Sequence, residues 1–220
     1  MPSYAVAKGR TPGVYKTWTE CSKQIHKFKG AKYKKFDTHL EAEHFINLHN
    51  NNQKELDDFI PDYYVYTDGA CINNGKKNAR AGIGIYLGVG DIRNVSEEIK
   101  GEKVTNNIAE LKAIEKTFEI IKNDVIKNNK KIVIMSDSTY SIRCLSDYGD
   151  TQNKNGWKKE IPNRELIKKL YLMYCELGRE KVLFKHVKAH TTLTDIHSLG
   201  NAEADRLAND AINEDKCPYN

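Results

Sequence analysis

Tyr63-Tyr64-Val65-Tyr66-Thr67-Asp68-Gly69-Ala70-Cys71 is the stretch that decides how this chain is read. Positions 63–67 are aromatic or β-branched, the composition of a strand. Asp68 then breaks the run, and a glycine follows at once. An isolated negative charge beside a buried strand loses its hydration at a high cost in free energy, so a carboxylate placed there calls for a partner or a task.

Downstream of this stretch the pattern is α/β. Residues 80–87 read as a second strand that carries Gly82 and Gly84, and 91–99 as a third. Thr105 stands as the cap of a helix in which Ile108, Leu111, Ile114, Phe118 and Ile121 recur at spacings of three and four. Residues 131–135 form a short apolar strand that runs into Asp137. A helix over 166–177, a strand over 182–187 and a last helix over 201–212 follow. Three strands and then alternating helices and strands predict a mixed sheet with helices on its faces.

Upstream lies a smaller module, residues 1–46. Short strands open at Tyr4 and resume at Val14 after the turn between Gly9 and Gly13. Thr17 or Thr19 is available to cap a short helix, residues 33–36 resemble a third strand, and Thr38 with Glu41 forms a capping-box pattern for a second helix. This is a small α+β module of three strands and two helices. Residues 47–61 are a polar connector, residues 62–214 the larger domain and residues 215–220 a tail. Fifteen connector residues span roughly 20 Å as a coil and roughly 50 Å when extended.

Charge separates the two parts. Residues 1–46 hold nine Lys/Arg against four Asp/Glu, whereas the rest of the chain holds 26 of each, so the net charge of +5 belongs to the N-terminal fifth. That is the footprint of an anion-binding module joined to a neutral body. No apolar run approaches the roughly 18 residues of a membrane span, and the first residues do not read as a secretory signal. Five scattered cysteines without a C-x-x-C pair read as reduced thiols, which suits a nuclear or cytoplasmic protein. A monomer is expected.

Asp68 has three counterparts. Glu110 lies between Ile108 and Leu111 on the inner side of a helix, Asp137 ends an apolar strand, and Asp205 lies within the last helix. Any one of them alone has an ordinary use as a cap or surface charge. Converging, they would repel one another unless cations intervened, and hard, oxygen-liganded Mg²⁺ is the natural counter-ion. Two such ions can activate a water and stabilise a leaving oxygen at a phosphodiester without a side-chain nucleophile.

The four acids stand in YTDGAC, TNNIAELKAI, IMSDSTY and GNAEADRLA, in that order, and over nearly all of residues 63–212 the sequence resembles the type 1 ribonuclease H family. The resemblance implies a ribonuclease H-like mixed five-stranded sheet with helices on both faces. It implies an endonuclease that cleaves the RNA strand of RNA–DNA hybrids with two Mg²⁺ ions (or Mn²⁺), leaving 5′-phosphate and 3′-hydroxyl ends. The family's acidic tetrad falls on Asp68, Glu110, Asp137 and Asp205. Asp68 is assigned to bridge both ions, and the allotment of the other three stays open. His190 stands where the family's auxiliary histidine relays a proton or aids product release; His186 reads as a packed strand residue. Asn74, Asn106 and Asn107 are short amides suited to testing for 2′-hydroxyls, and by resemblance Asn74 and Asn106 cross the minor groove; turns and caps are their commoner use. Thr105 and Asn163 resemble the family's phosphate pocket, with Lys103 where an arginine is often found. Tyr148 and Trp157 bracket a segment similar to the family's basic protrusion. A tryptophan common at its start is Tyr148 here, and Trp157 serves either the DNA strand or the core.

Residues 4–38 are similar to the hybrid-binding domain of eukaryotic type 1 ribonucleases H. By that resemblance Trp18, Tyr33, Lys34 and Lys35 meet the DNA strand, with Tyr4 as a further ring face, and the module favours processivity. A non-catalytic hybrid binder on the same fold would be expected to have a broken tetrad. An integrase-like or junction-resolving enzyme would not be expected to carry the N-terminal module.

Overall fold

The computed structural model describes residues 2–43, 45–46, 49, 59–101, 104–189 and 193–212. It divides into two compact units, Met1–Ile60 and Pro61–Asn220.

In the first unit, β1 (Ser3–Lys8) lies between β2 (Gly13–Tyr15) and β3 (Lys32–Phe36), antiparallel to both. Helix α1 (Trp18–Ile25) starts at Thr17, whose hydroxyl accepts from the Glu20 N–H while the Glu20 carboxylate accepts from the Thr17 N–H. The cap is therefore Thr17, not Thr19. Thr38 and Glu41 make the same reciprocal box ahead of a helical stretch over residues 39–43. Ala5, Val6, Cys21 and Ala42 form the buried centre. Because side chains alternate along a strand, Tyr33 and Lys35 project to one face of β3, and Lys34 and Phe36 to the other. Tyr4 is the register partner of Lys35 and shares its face.

The second unit runs β4 (Tyr63–Ile72), β5 (Arg80–Tyr86), β6 (Val95–Ile99), α2 (Asn106–Ile126), β7 (Ile132–Ser136), α3 (Thr139–Leu145), α4 (Asp147–Lys154), α5 (Arg164–Leu177), β8 (Val182–His186) and α6 (Ile196–Asp210). The sheet order is β6-β5-β4-β7-β8, with β7 and β8 parallel to β4 and the β4-β5-β6 meander antiparallel. The mixed five-stranded sheet predicted from the strand and helix pattern is thus present. Val65, Thr67 and Gly69 point to the α2 face of β4, where Val65, Ile85, Leu111, Phe118, Ile134 and Leu170 build the main core. Tyr66, Asp68 and Ala70 point to the opposite, α6 face.

Missing side chains let both helices settle on the sheet. A Cβ on Gly69 would collide with the backbone of Ala109 and Glu110. Gly84 and Gly82 are the register partners of Asp68 and Ala70, and a Cβ on either would collide with the α6 carbonyls of Ala204 or Ala208.

Four expectations are corrected. Asp68 does not break the first strand: β4 runs on to Ile72, with Asp68 paired to Gly84 inside it. Residues 91–94 form a turn rather than strand, because the Asp91 carboxylate takes both the Arg93 N–H (2.9 Å) and its guanidinium (2.7 Å). Helix α6 begins at Ile196, five residues before the predicted start: Asp195 caps it by accepting from the His197 and Ser198 N–H groups. Gly200 sits inside that helix, where a Cβ would collide with the Tyr66 ring. Of the two uses left open for Trp157, packing in the core is the one its burial supports. The residue is 6% exposed, meets Tyr171 edge-on at 5.7 Å and donates from Nε1 to Asn153. His186 is exposed rather than packed. The connector over 47–61 lies largely, and the tail over 215–220 wholly, outside the described residues. No helix among those described is long and apolar enough to cross a membrane.

Gly84→Ala should push α6 off the sheet and lower stability by about 3 kcal/mol, read as a fall in the urea midpoint of the full chain. An unchanged midpoint would show that the close approach of α6 contributes nothing.

Candidate active site

The parallel register of β4 and β7 ends with Thr67 opposite Ser136, so Asp68 and Asp137 come next on neighbouring strands. Glu110 arrives from α2, brought down by the bare surface at Gly69. Carboxylate oxygens of Asp68, Glu110 and Asp137 all lie within 4.8 Å of one another. Asp205 arrives from α6, near enough for its charge to act on both Asp68 and Glu110. Burial, and then the negative charges of Glu110, Asp137 and Asp205, hold the Asp68 carboxyl well above the usual carboxylate range. Burial first, and then Asp137 and Asp205, push Glu110 up to about 8. Four segments far apart in the chain therefore bring their charges within reach of one another, with Asp68 inside β4 and not at its end.

Each carboxylate is oriented by one neutral N–H on a single oxygen. Gly69 N–H donates to Asp68 Oδ1 at 2.8 Å, and Asn106 Nδ2 to Glu110 Oε1 at 3.5 Å. Asn201 Nδ2 donates to Asp137 Oδ2 at 3.4 Å, and Asn209 Nδ2 to Asp205 Oδ1 at 2.9 Å. Such donors fix direction without cancelling charge. His186 adds a contact to the main chain, its Nε2 lying 3.1 Å from the Asp137 carbonyl oxygen. The sequence does not single out Asn201 or Asn209, and it marks His186 only as a packed strand residue. The signal for the two amides was their placement four residues either side of Asp205 on one helix face.

The candidate nucleic-acid residues fall into three groups. Asn74 and Asn106 come together: the Asn106 N–H, a free donor at the start of α2, reaches Asn74 Oδ1 at 3.4 Å. Thr105 caps α2 through the Ile108 N–H. Asn107 and Tyr148 line a cavity of about 290 Å³ with Tyr140, Arg143, Cys144 and Ile161, and Asn163 joins its edge by donating to the Tyr140 hydroxyl at 3.4 Å. In the first unit, Tyr4, Trp18 and Tyr33 form a ladder of rings with centroids 5.8 and 5.9 Å apart. Trp18 and Tyr33 remain 49% and 47% exposed, so they are not the core of that unit. Lys35 shares the ladder's face, while the Lys34 ammonium lies over Phe36 on the other. His190 and Lys103 lie outside the described residues.

Residues 61–213 match the RNase H family, and residues 2–46 match the Ribonuclease H1 N-terminal domain. The chain belongs to the ribonuclease H family. A ribonuclease H of Schizosaccharomyces pombe is 30% identical over 96% of this chain and 97% of its own. Ribonuclease H1 of Homo sapiens is 30% identical over 96% of this chain and 89% of its own. The solution structure of the PFV RNase H domain shares the fold, with a TM-score of 0.55 at 23% identity over 70% of this chain and 95% of that one. The chain is accordingly a ribonuclease H enzyme with the two-part organisation of the family's eukaryotic members.

Such an enzyme implies divalent metal, and the residues fit one. Every donor is a carboxylate oxygen, the choice of a hard cation. What raises Asp68 and Glu110 is burial and like charge, and among the described residues no basic side chain is a leading influence on either. In the metal-free protein the raised Glu110 carboxyl is favourable when protonated. Below the ordinary carboxylate range it therefore costs the fold nothing, and between that range and about 8 it destabilises the fold progressively, because the unfolded chain gives up the proton first. Thermal melts in chelator should show Glu110→Gln gaining on the parent by a few degrees between pH 5 and 8, with the gap reduced by added divalent ion. A gap constant with pH would contradict the buried-charge account.

Proposed function

We propose that this ribonuclease H hydrolyses the RNA strand of RNA–DNA hybrids at Asp68, Glu110, Asp137 and Asp205, with Mg²⁺ as the resident ion and Mn²⁺ as a substitute. The observation that carries this reading is the convergence of four carboxylates from separate segments, three of them within 4.8 Å of one another. Two ions held by these carboxylates would supply Lewis-acid charge at the phosphodiester and to the attacking water. Asp68, the most hemmed in by the other three, is the residue assigned to hold both. Cleavage of the P–O3′ bond gives a 5′-phosphate that carries the water's oxygen and a 3′-hydroxyl that takes up a proton. His190 is assigned the proton relay or the release of product.

Asn74 and Asn106 are assigned to read 2′-hydroxyls next to the cut, a role supported by their link to each other and, through Asn106, to Glu110. Asn107, Tyr148, Thr105, Asn163 and Lys103 are assigned to the DNA strand. The ring ladder of Tyr4, Trp18 and Tyr33 offers flat faces to deoxyriboses, with Lys35, and more weakly Lys34, taking phosphates.

Asp137→Asn should reduce hybrid cleavage in Mg²⁺ by about 1,000-fold or more while hybrid affinity stays within a few-fold; retained turnover would refute the assignment. Matched RNA–RNA and DNA–DNA duplexes should not be cut.

In the Asp137→Asn background, Lys35→Ala should lower the slope of log affinity against log salt by about one. Trp18→Ala should cost about 1–3 kcal/mol of binding. Lys34→Ala should do less than Lys35→Ala in the same fluorescence titrations. Equal losses from the two lysines would mean that strand alternation does not set the grip.

A further inference from the structure

We infer that Asn201 is a positioning residue for Asp137, its amide holding that carboxylate in the orientation that receives the divalent ion. The inference rests on the metal-dependent reading above and extends it to a residue outside the acidic four.

Asn201 is 4% exposed and lies one turn ahead of Asp205 on α6. Its Nδ2 donates to Asp137 Oδ2 at 3.4 Å. Its Oδ1 is buried and has no hydrogen-bond partner among the described residues. The amide cannot be turned round to cure this, because Oδ1 would then face the Asp137 carboxylate, acceptor against acceptor. A buried carbonyl oxygen without a partner is costly. Packing alone does not account for it, since leucine has nearly the same volume and would leave no orphan. The amide is therefore kept for its N–H.

That N–H acts where Asp137 is least constrained. His186 steadies the Asp137 main chain through the carbonyl, but Asp137 follows the last residue of β7 and lies beyond the last ladder pair, Thr67 with Ser136. Asn201 supplies the missing restraint from the opposite element. A neutral donor suits the task. An ammonium or guanidinium there would orient Asp137 equally well but would offset the negative charge that draws the cation. Removing an outer partner of a metal-binding carboxylate commonly costs 10–100-fold in metal affinity.

The test is calorimetric titration of Mn²⁺ into the full chain without nucleic acid. Asn201→Leu, which conserves volume, and Asn201→Ala should both weaken Mn²⁺ binding by about 10–100-fold. The Mn²⁺ midpoint for hybrid cleavage should rise in step, with KM for the hybrid changed less than twofold. In an Asp137→Asn background, Asn201→Leu should produce no further loss. Unchanged Mn²⁺ affinity in a folded Asn201→Leu protein would overturn the inference, as would an equal loss with and without the Asp137 carboxylate. Asp68→Asn serves as the reference: if it leaves Mn²⁺ binding intact, the metal reading itself fails, whereas loss with Asp68→Asn but not with Asn201→Leu removes only the role of Asn201.

Discussion

Like charges in a dry place are the constraint on which the second unit is organised. Asp68 and Glu110 are buried together, with Asp137 beside them and Asp205 close enough to be felt by both. A fold left to its own energetics would separate or neutralise these groups. Here β4, β7, α2 and α6 each contribute one, and the packing of those four elements holds the charges together. The work is done by the large apolar face that α2 shares with β4, β5 and β7. Stability generated there offsets the repulsion among the buried acids, the usual relation between a scaffold and a charged site.

Glycine has the complementary role. Gly69 on one face, and Gly82 and Gly84 on the other, remove the atoms that would keep α2 and α6 at ordinary distance. The carboxylates on both helices can then reach a strand that separates them. Sheet register and missing side chains together set the size of the site: β4 and β7 place two acids side by side, and the bare positions bring in the other two from above and below.

Much of this was legible in the sequence, and the exceptions have physical causes. Helix α2 declares itself through the Thr105 cap and a long apolar stripe, and the acids through their position at the ends of apolar runs. Helices α3 and α4 do not. They are seven and eight residues long, too short for a periodic stripe, and α4 buries only Gly149 and Gln152. Trp157 lies among lysines, so its neighbours left open a choice between surface and core that only its packing against Tyr171 decides. The start of α6 was hidden by Gly200, whose presence reflects the Tyr66 ring pressed against the helix and not a break in it. Asn201 was invisible for another reason: its significance lies in a contact with Asp137, 64 residues away, which no local pattern encodes.

The alternation of Lys34 and Lys35 across β3 bears on how the first unit meets a polyanion. Its positive potential is spread over both sides of a thin sheet, while the rings of Tyr4, Trp18 and Tyr33 occupy one side only. Long-range attraction is therefore nearly indifferent to the angle of approach, and stacking is not. A duplex captured in the wrong orientation would be held loosely and could roll until the ring-bearing side faces it, so that encounter is broad and seating is directional.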